Sequence, residues 1–313
     1  MSFMVWFNHA PLMSILRETF GLSDQEVKVL LIMNVALTIP ARILVGMLVD
    51  RFGPRLMFSG ILMSAGVLSV PFALAESFEQ LAVSRLLLGF VGAGFVVGTR
   101  MIGEWFPARQ TGAAQGIYGG WGNFGSAGSA MALPALALWF GGEDGWRYAI
   151  LTTAVMAFSY GIFYYFSVSN TPKGSTYFKP KKMGAMEITS KRDLLLYLLF
   201  SIPVYGALAL LTWKLGPANM AWLSTELSNS IYIGITAIYL WQAWKIIQIN
   251  KAVFTETIPE MYQYSFKQVV ILDLAYMVTF GSELALVSML PLFYIDTFGL
   301  SLVTAGLLAA IYP

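Results

Sequence analysis

The stretch 112–134, GAAQGIYGGWGNFGSAGSAMALP, constrains the fold more than any other part of the chain. Its length suits a bilayer crossing, for which about 20 largely apolar residues suffice. It nevertheless carries glycine at 112, 116, 119, 120, 122, 125 and 128. In water each would cost a helix roughly 1 kcal/mol against alanine. In a bilayer, small residues let neighbouring backbones approach closely, so the run reads as a packed transmembrane helix. On a helical projection Gly112, Gly116, Gly120, Asn123, Ala127 and Ala130 share one stripe, while Gly122, Gly125 and Gly128 fall elsewhere. The helix is therefore expected to be pressed by neighbours on more than one side. Asn123 is a strongly polar amide in the middle of that surface, and two roles stay open for it. It can glue helices together, or it can offer N–H donors to a ligand in a path lined by the backbone of Gly119, Gly120 and Gly122.

Charged residues make up only 12% of the 313-residue chain, against about 25% in a soluble protein. The chain is thus an all-α polytopic membrane protein. There is no cysteine and a single histidine, which leaves no basis for disulfides, thiolate metal sites or a histidine-rich metal centre. No cofactor, metal or nucleic-acid partner is expected; the lipid bilayer is. The N-terminus shows neither a basic leader nor a small-residue cleavage site.

Residues 1–17 are apolar and read as part of a first helix whose beginning lies outside the sequence. Apolar spans follow at 27–49, 56–75, 79–103, 112–138 and 146–168, giving an N-terminal six-helix bundle over 1–168 with a partial first helix. A basic connector at 169–192 precedes an extra apolar helix pair within 193–249, with spans at 193–213 and 229–249. A second connector covers 250–267, and 268–313 holds a span at 268–294 and part of the next one. Truncation is expected at both ends. One set of connectors and flanks holds Arg51, Arg55, Arg109, Lys173, Lys179, Lys181, Lys182, Lys191, Arg192, Lys245, Lys251 and Lys267. The alternate set holds Arg17, Lys28, Arg147 and Lys214. By the positive-inside rule, loops 50–55, 104–111, 169–192 and 250–267 are cytoplasmic, and the chain is expected in the plasma (inner) membrane.

Between the second and third spans stands GMLVDRFGPR at 46–55, carrying Gly46, Asp50, Arg51, Gly53 and Arg55. Asp50 at a helix C-terminus opposes the helix dipole and needs another partner, such as a neighbouring arginine. The loop resembles the G-x-x-x-D-R-x-G-x-R/K motif of the major facilitator superfamily, where such a cluster latches the cytoplasmic side. RLLLGFVG at 85–92, with Arg85, resembles that superfamily's second motif. More specifically, GIYGGWGNFG at 116–125 resembles the glycine-rich signature of the nitrate/nitrite porter family. EWFP at 104–107 and YMVTFGS at 276–282 also look like that family. The resemblance implies a helical bundle of the superfamily, incomplete here, with an extra helix pair between the sixth and seventh core helices. The family's second signature, and an arginine it carries in its eighth helix, fall outside the sequence.

Depth narrows the site. At 1.5 Å rise per residue, Arg42 lies roughly 12 Å from the helix end near Asp50. Phe95 lies about 13 Å from Glu104, and Asn123 about 16 Å from Gly112. Tyr276 and Phe280 lie roughly 12 and 18 Å from Gln268. In a hydrocarbon layer about 30 Å thick these five reach the midplane, where transporters bind substrate. An arginine there costs at least ~2.5 kcal/mol and faces a cavity or a partner. No acid stands at an obviously matching depth on the first four complete spans, so Arg42 reads as an anion site, with Pro40 bending the helix beside it. Its planar guanidinium suits a planar anion. By resemblance, Arg42 matches the family's substrate arginine, and Phe95, Tyr276 and Phe280 match aromatic positions that pack against nitrate or nitrite. Phe3, Trp6, Phe7 and His9 on the partial first helix can close the site.

Glu283 lies about 22 Å into the seventh span and is the candidate for proton coupling, since burial raises a carboxylate's pKa. A structural pair with Arg85 is the alternative. Arg100 near the inner interface is expected to snorkel or to pair with Glu104. The basic connector 169–192 reads as a topology signal facing anionic lipid, with a regulatory partner as the other possibility. The resulting expectation is no enzyme but a secondary carrier for nitrate and nitrite, coupled to protons. Nitrate/nitrite exchange, another small anion, and a non-transporting anion sensor are the alternatives. No phosphate-binding loop supports ATP-driven transport.

Overall fold

The computed structural model describes residues 1–179, 185–255, 259, 261 and 263–313. Parts of the connectors 169–192 and 250–267, including Lys181 and Lys182, lie outside the described residues. The chain divides into two units, Met1–Lys179 with Ser282–Pro313, and Pro180–Gly281. Among the described residues, six helical stretches are long and apolar enough to cross a membrane: Asp24–Phe52, Pro54–Ala73, Phe78–Trp105, Gly145–Ser167, Lys191–Leu215 and Phe266–Phe298.

The first unit opens with α1 (Ser2–Trp6), a 3-10 turn at Ala10–Leu12, and α2 (Met13–Phe20). Gly21 ends α2 at φ +61°, a left-handed cap that glycine adopts without steric cost. Next, α3 (Asp24–Ala36) starts on a capping box, in which Ser23 and Glu26 satisfy each other's backbone N–H groups. The chain steps at Leu37 into α4 (Thr38–Phe52), and Pro54 opens α5 (Pro54–Ala73). A serine cap at Ser77 starts α6 (Phe78–Leu88); a 3-10 turn at Gly89–Ala93 follows, and α7 (Gly94–Trp105) continues it. Two long helices, α8 (Ala108–Phe140) and α9 (Gly145–Ser167), complete the succession.

Small residues set the packing. A Cβ on Gly66 would lie 2.7 Å from the Ala154 carbonyl, and one on Gly161 2.8 Å from Met63, so α5 and α9 are in backbone-close contact. Ser59 adds a 2.7 Å hydrogen bond to the Gly161 carbonyl. The interruptions in the α1–α2, α3–α4 and α6–α7 spans are stacked on one another. Thr38 donates to the Gly89 carbonyl, Trp6 Nε1 donates to the Asn34 carbonyl at 2.8 Å, and Gly92 faces both Trp6 and Thr38. Carbonyls freed where a helix breaks must find donors inside the protein, because lipid has none. Arg85 meets that need at full burial. It donates to Asn34 Oδ1 at 2.9 Å and 2.7 Å, to Asn8 Oδ1 at 2.9 Å, and to the carbonyls of Val5 and Trp6. Asn8 in turn donates to Thr153 at 3.0 Å.

Where α2 gives way to α3, Arg17 pairs with Asp24 at 2.6 Å and with Asp296 at 3.1 Å. Asp296 lies near the end of α13 (Phe266–Phe298), whose residues from Ser282 onward belong to the first unit. There α14 (Leu302–Ala309) sets Gly306 directly on the Ala130 carbonyl of α8, beside Pro134.

The second unit consists of α10 (Lys191–Leu215), α11 (Thr225–Ile249), the short α12 (Ala252–Thr255) and the first part of α13. Thus α10 and α11 cover the stretches 193–213 and 229–249. Ser190 and Ser224 cap their starts, and Ile188, Leu194, Ile246 and Phe266 form an apolar cluster. Asn250 clamps the entering chain, accepting from the Ile188 N–H at 2.6 Å and donating to the Met186 carbonyl at 3.0 Å.

Candidate substrate site

Arg42 sits one turn into α4, just past the step at Leu37, and is half-buried. Its guanidinium carbon lies 5.7 Å from the centre of the Phe95 ring, within the range of a cation–π contact. Phe95 occupies the first turn of α7, immediately after the 3-10 turn, so the break that frees backbone groups also delivers this ring to mid-span depth. Phe3 meets Phe95 edge-on at 6.4 Å, and Tyr118 stacks on it at 5.6 Å with 29° between planes. Phe3 is backed by Trp6 at 5.3 Å and Phe7 at 6.1 Å. An apolar cavity of about 1010 Å³ opens beside them, lined by Phe3, Phe95, Gly98, Tyr118, Trp121 and Gly122 among others.

In the glycine-rich helix, Gly122 and Gly125 receive Phe3 and Met4, with added Cβ atoms 3.7 Å and 3.3 Å away. A Cβ on Gly112, Gly116, Gly119, Gly120 or Gly128 would meet nothing within 4 Å among the described residues. Close packing on several sides, expected from the glycine pattern, is therefore seen at only part of it. Asn123 is half-buried on α8; its carbonyl accepts from Ser126 at 2.7 Å, and its side-chain amide lies near the carboxylate of Glu283. Glu283 thus meets Asn123, while Arg85, its alternative partner from the sequence, is held by neutral acceptors. His9 is fully buried at the N-cap of the 3-10 turn that follows α1. In the second unit, Tyr276 and Phe280, one helical turn apart on α13, stack on each other at 4.9 Å with 8° between planes. Among the described residues no cluster of three His, Cys, Asp or Glu side chains could hold a metal ion.

Sequence comparison names this architecture. The Major Facilitator Superfamily matches residues 1–313, the whole chain. The protein belongs to the major facilitator superfamily. Two similar proteins are the nitrate/nitrite transporters NrtP of Nostoc punctiforme, 44% identical over 319 residues, and of Picosynechococcus sp., 43% identical over 339 residues. Each alignment takes in 100% of this chain, which spans 64% and 63% of the length of those relatives. The probable nitrate/nitrite antiporter NarK1 of Thermus thermophilus is 32% identical over 182 residues, covering 55% of this chain and 40% of its own. These relatives bear the names of transporters, not of enzymes.

The superfamily's loop motif at 46–55 is a fully engaged cluster. Asp50 receives Arg100 at 2.9 Å, and Arg100 also reaches Glu104 at 2.5 Å. Both ion-pair partners of Arg100 are on other turns or helices, Glu104 one turn away on α7 and Asp50 across the helix packing. Arg100 further donates to the Phe178 carbonyl at 2.9 Å and lies 5.1 Å from the Tyr177 ring. Tyr177 donates to the Val49 carbonyl at 2.6 Å, and burial pushes its phenol above the usual range. Arg55 donates its Nε to the Tyr165 carbonyl at 2.6 Å and its backbone N–H to Asn170 at 2.9 Å. Gly53, at φ +85° and with Asn170 packed against it, has room for no side chain. Arg51 lies 5.3 Å from the Phe52 ring, and Gly46 faces Val96. Three groups escaped the sequence reading: Tyr118, the Asn8–Asn34 pair around Arg85, and the Asn170–Tyr177–Phe178 segment. The tyrosine inside the GIYGG run was a signal, but its partner Gly98 is on another helix.

Proposed function

We propose that the complete protein carries nitrate and nitrite across the plasma membrane by alternating access, with proton-coupled uptake of nitrate. The observation that carries this reading is the guanidinium of Arg42 over the Phe95 ring, flanked by Phe3 and Tyr118. A planar, permanently charged fork can bind a flat anion by two parallel hydrogen bonds. The surrounding rings exclude water, and a weakly hydrated anion loses little by entering such a place. The names of the similar proteins support the choice of anion. Gly119, Gly120 and Gly122 leave the α8 backbone accessible along the path; Tyr276 and Phe280 are proposed as substrate aromatics because YMVTFGS at 276–282 resembles the porter family. The bilayer is the other partner. Loops 50–55, 104–111, 169–192 and 250–267 are assigned to the cytoplasm, and 169–192 is a place for a regulatory partner.

Coupling follows from the Asn123–Glu283 contact. An ionised Glu283 and a nitrate ion compete for the same amide N–H donors of Asn123. Protonation of Glu283 frees that donor and removes a like charge, so proton and anion enter together. Gly46, Asp50, Arg51, Gly53 and Arg55 with Arg100 latch the cytoplasmic end, and Arg85 keeps the broken spans in register during the rocking. The full-length protein in proteoliposomes tests this. Nitrate uptake should rise with an inward proton gradient, should be lost in Arg42→Lys although charge is kept, and should persist without gradient dependence in Glu283→Gln. Uptake driven only by internal nitrite would replace symport by exchange, the activity in the name of the Thermus relative. Transport of a different anion alone would overturn the substrate assignment.

A further inference from the structure

Phe95 holds an awkward position for a residue that must present a fixed surface to an anion. It stands at the junction of a 3-10 turn and α7, and a cavity of about 1010 Å³ opens beside it. A ring with empty space on one side has rotamers to explore, and that freedom weakens binding. Something must hold it, and the neighbour that stacks on it is Tyr118, 5.6 Å away with 29° between planes.

The seat of Tyr118 is unusually specific. Its hydroxyl points at the Gly94 and Phe95 carbonyls, 3.4 Å from each. Its phenol lies so close over Gly98 that a single methyl there would overlap the ring. Gly98 is thus a notch in α7, one turn beyond Phe95, into which the α8 tyrosine fits. The side chain is half-buried and lines the same cavity as Phe95.

We infer that Tyr118, seated in the Gly98 notch, is a positioning residue for the anion site: it fixes the plane of Phe95 against Arg42 and so sets the preference between flat nitrate and bent nitrite. This rests on the transport reading given above. Tyr118 acts through its ring and through Phe95. The hydroxyl contacts are long and contribute little. Loss of one aromatic pair predicts a weakening of roughly three- to tenfold.

The test compares Tyr118→Phe, Tyr118→Leu and Gly98→Ala in the full-length protein reconstituted in proteoliposomes, with nitrate and nitrite as separate substrates. Tyr118→Leu and Gly98→Ala should raise the KM for nitrate roughly three- to tenfold, leave the maximal rate nearly unchanged, and shift the nitrate-to-nitrite ratio. Tyr118→Phe should restore wild-type KM and ratio. Gly98→Ala keeps every functional group and removes only the notch, so it answers the question if Tyr118→Leu fails to fold. Variants with lower thermal stability but unaltered KM and ratio would reduce Tyr118 to a packing residue and overturn the inference. A loss in Tyr118→Phe equal to that in Tyr118→Leu would overturn it too, by placing the role on the hydroxyl. If wild type moves neither anion, the transport reading fails by itself, and the same KM comparison is made with the anion that is moved.

Discussion

Two arginines stand inside the apolar helices of the first unit, and the protein uses them in opposite ways. Arg85 is fully buried and spends its guanidinium on neutral oxygens: two asparagine side chains and the carbonyls of Val5 and Trp6. Arg42 is half-buried and presents its guanidinium to an aromatic ring beside a cavity. Both would be flagged equally by the cost of a charge in hydrocarbon. What separates them is their surroundings. The Arg85 fork is sealed among asparagine oxygens and backbone carbonyls at the helix breaks and is an anchor, whereas the Arg42 fork lies against a ring that borders a cavity, where the proposed anion would enter.

The contrast can be broken by substitution. Arg85→Gln should have the largest effect, a loss of about 3–5 kcal/mol in stability. Asn34 Oδ1, Asn8 Oδ1 and the broken-helix carbonyls then lose their donor. Thermal unfolding of the full-length protein in detergent would register this, while KM in the folded fraction should stay within about threefold. An Arg85 variant of normal stability that has lost anion affinity would erase the distinction. Arg42→Gln should do the reverse: uptake in proteoliposomes falls at least about 100-fold, or roughly 2.7 kcal/mol, with little change in the unfolding temperature. A large stability loss there would make Arg42 a second anchor. The smallest effect is expected at Thr38, whose hydroxyl joins two of the broken spans. Thr38→Val leaves the Gly89 carbonyl without that donor and should cost about 1–2 kcal/mol in the same unfolding assay. No measurable cost would mean that Arg85 and the Trp6–Asn34 bond hold the breaks without it.

The helices were largely legible because hydrophobicity accumulates locally along a helix, and the loop motif at 46–55 and the glycine-rich run at 116–125 were legible because each is contiguous. The interruptions at Leu37 and Gly89–Ala93 were not, since apolar residues run through both without a change in composition. Depth alone put Arg42, Phe95 and Asn123 at comparable levels, and the structure brings Arg42 and Phe95 together. It turns Asn123 to Glu283, a partner more than a hundred residues away that no local spacing could suggest. Similarly, Arg100 and Glu104 are one turn apart and visible as a pair, whereas Asp50 reaches Arg100 only through the packing of α4 on α7. The roles of Asn8 and Asn34 were hidden for the same reason. A lone amide in an apolar helix does not announce which carbonyl or guanidinium it will meet.

The saturated arginine has one more consequence, which reaches beyond its hydrogen bonds. Neutral acceptors hold Arg85 but do not cancel its charge, so a permanent positive potential is built into the fold. Phe95 lies ten residues further along the same span, roughly 15 Å by helix rise. At an effective dielectric constant near 20, a unit charge at that distance is worth about 1 kcal/mol, favouring an anion and opposing a cation by the same amount. The charge held there therefore contributes a potential that favours an anion over a cation before any side chain touches it.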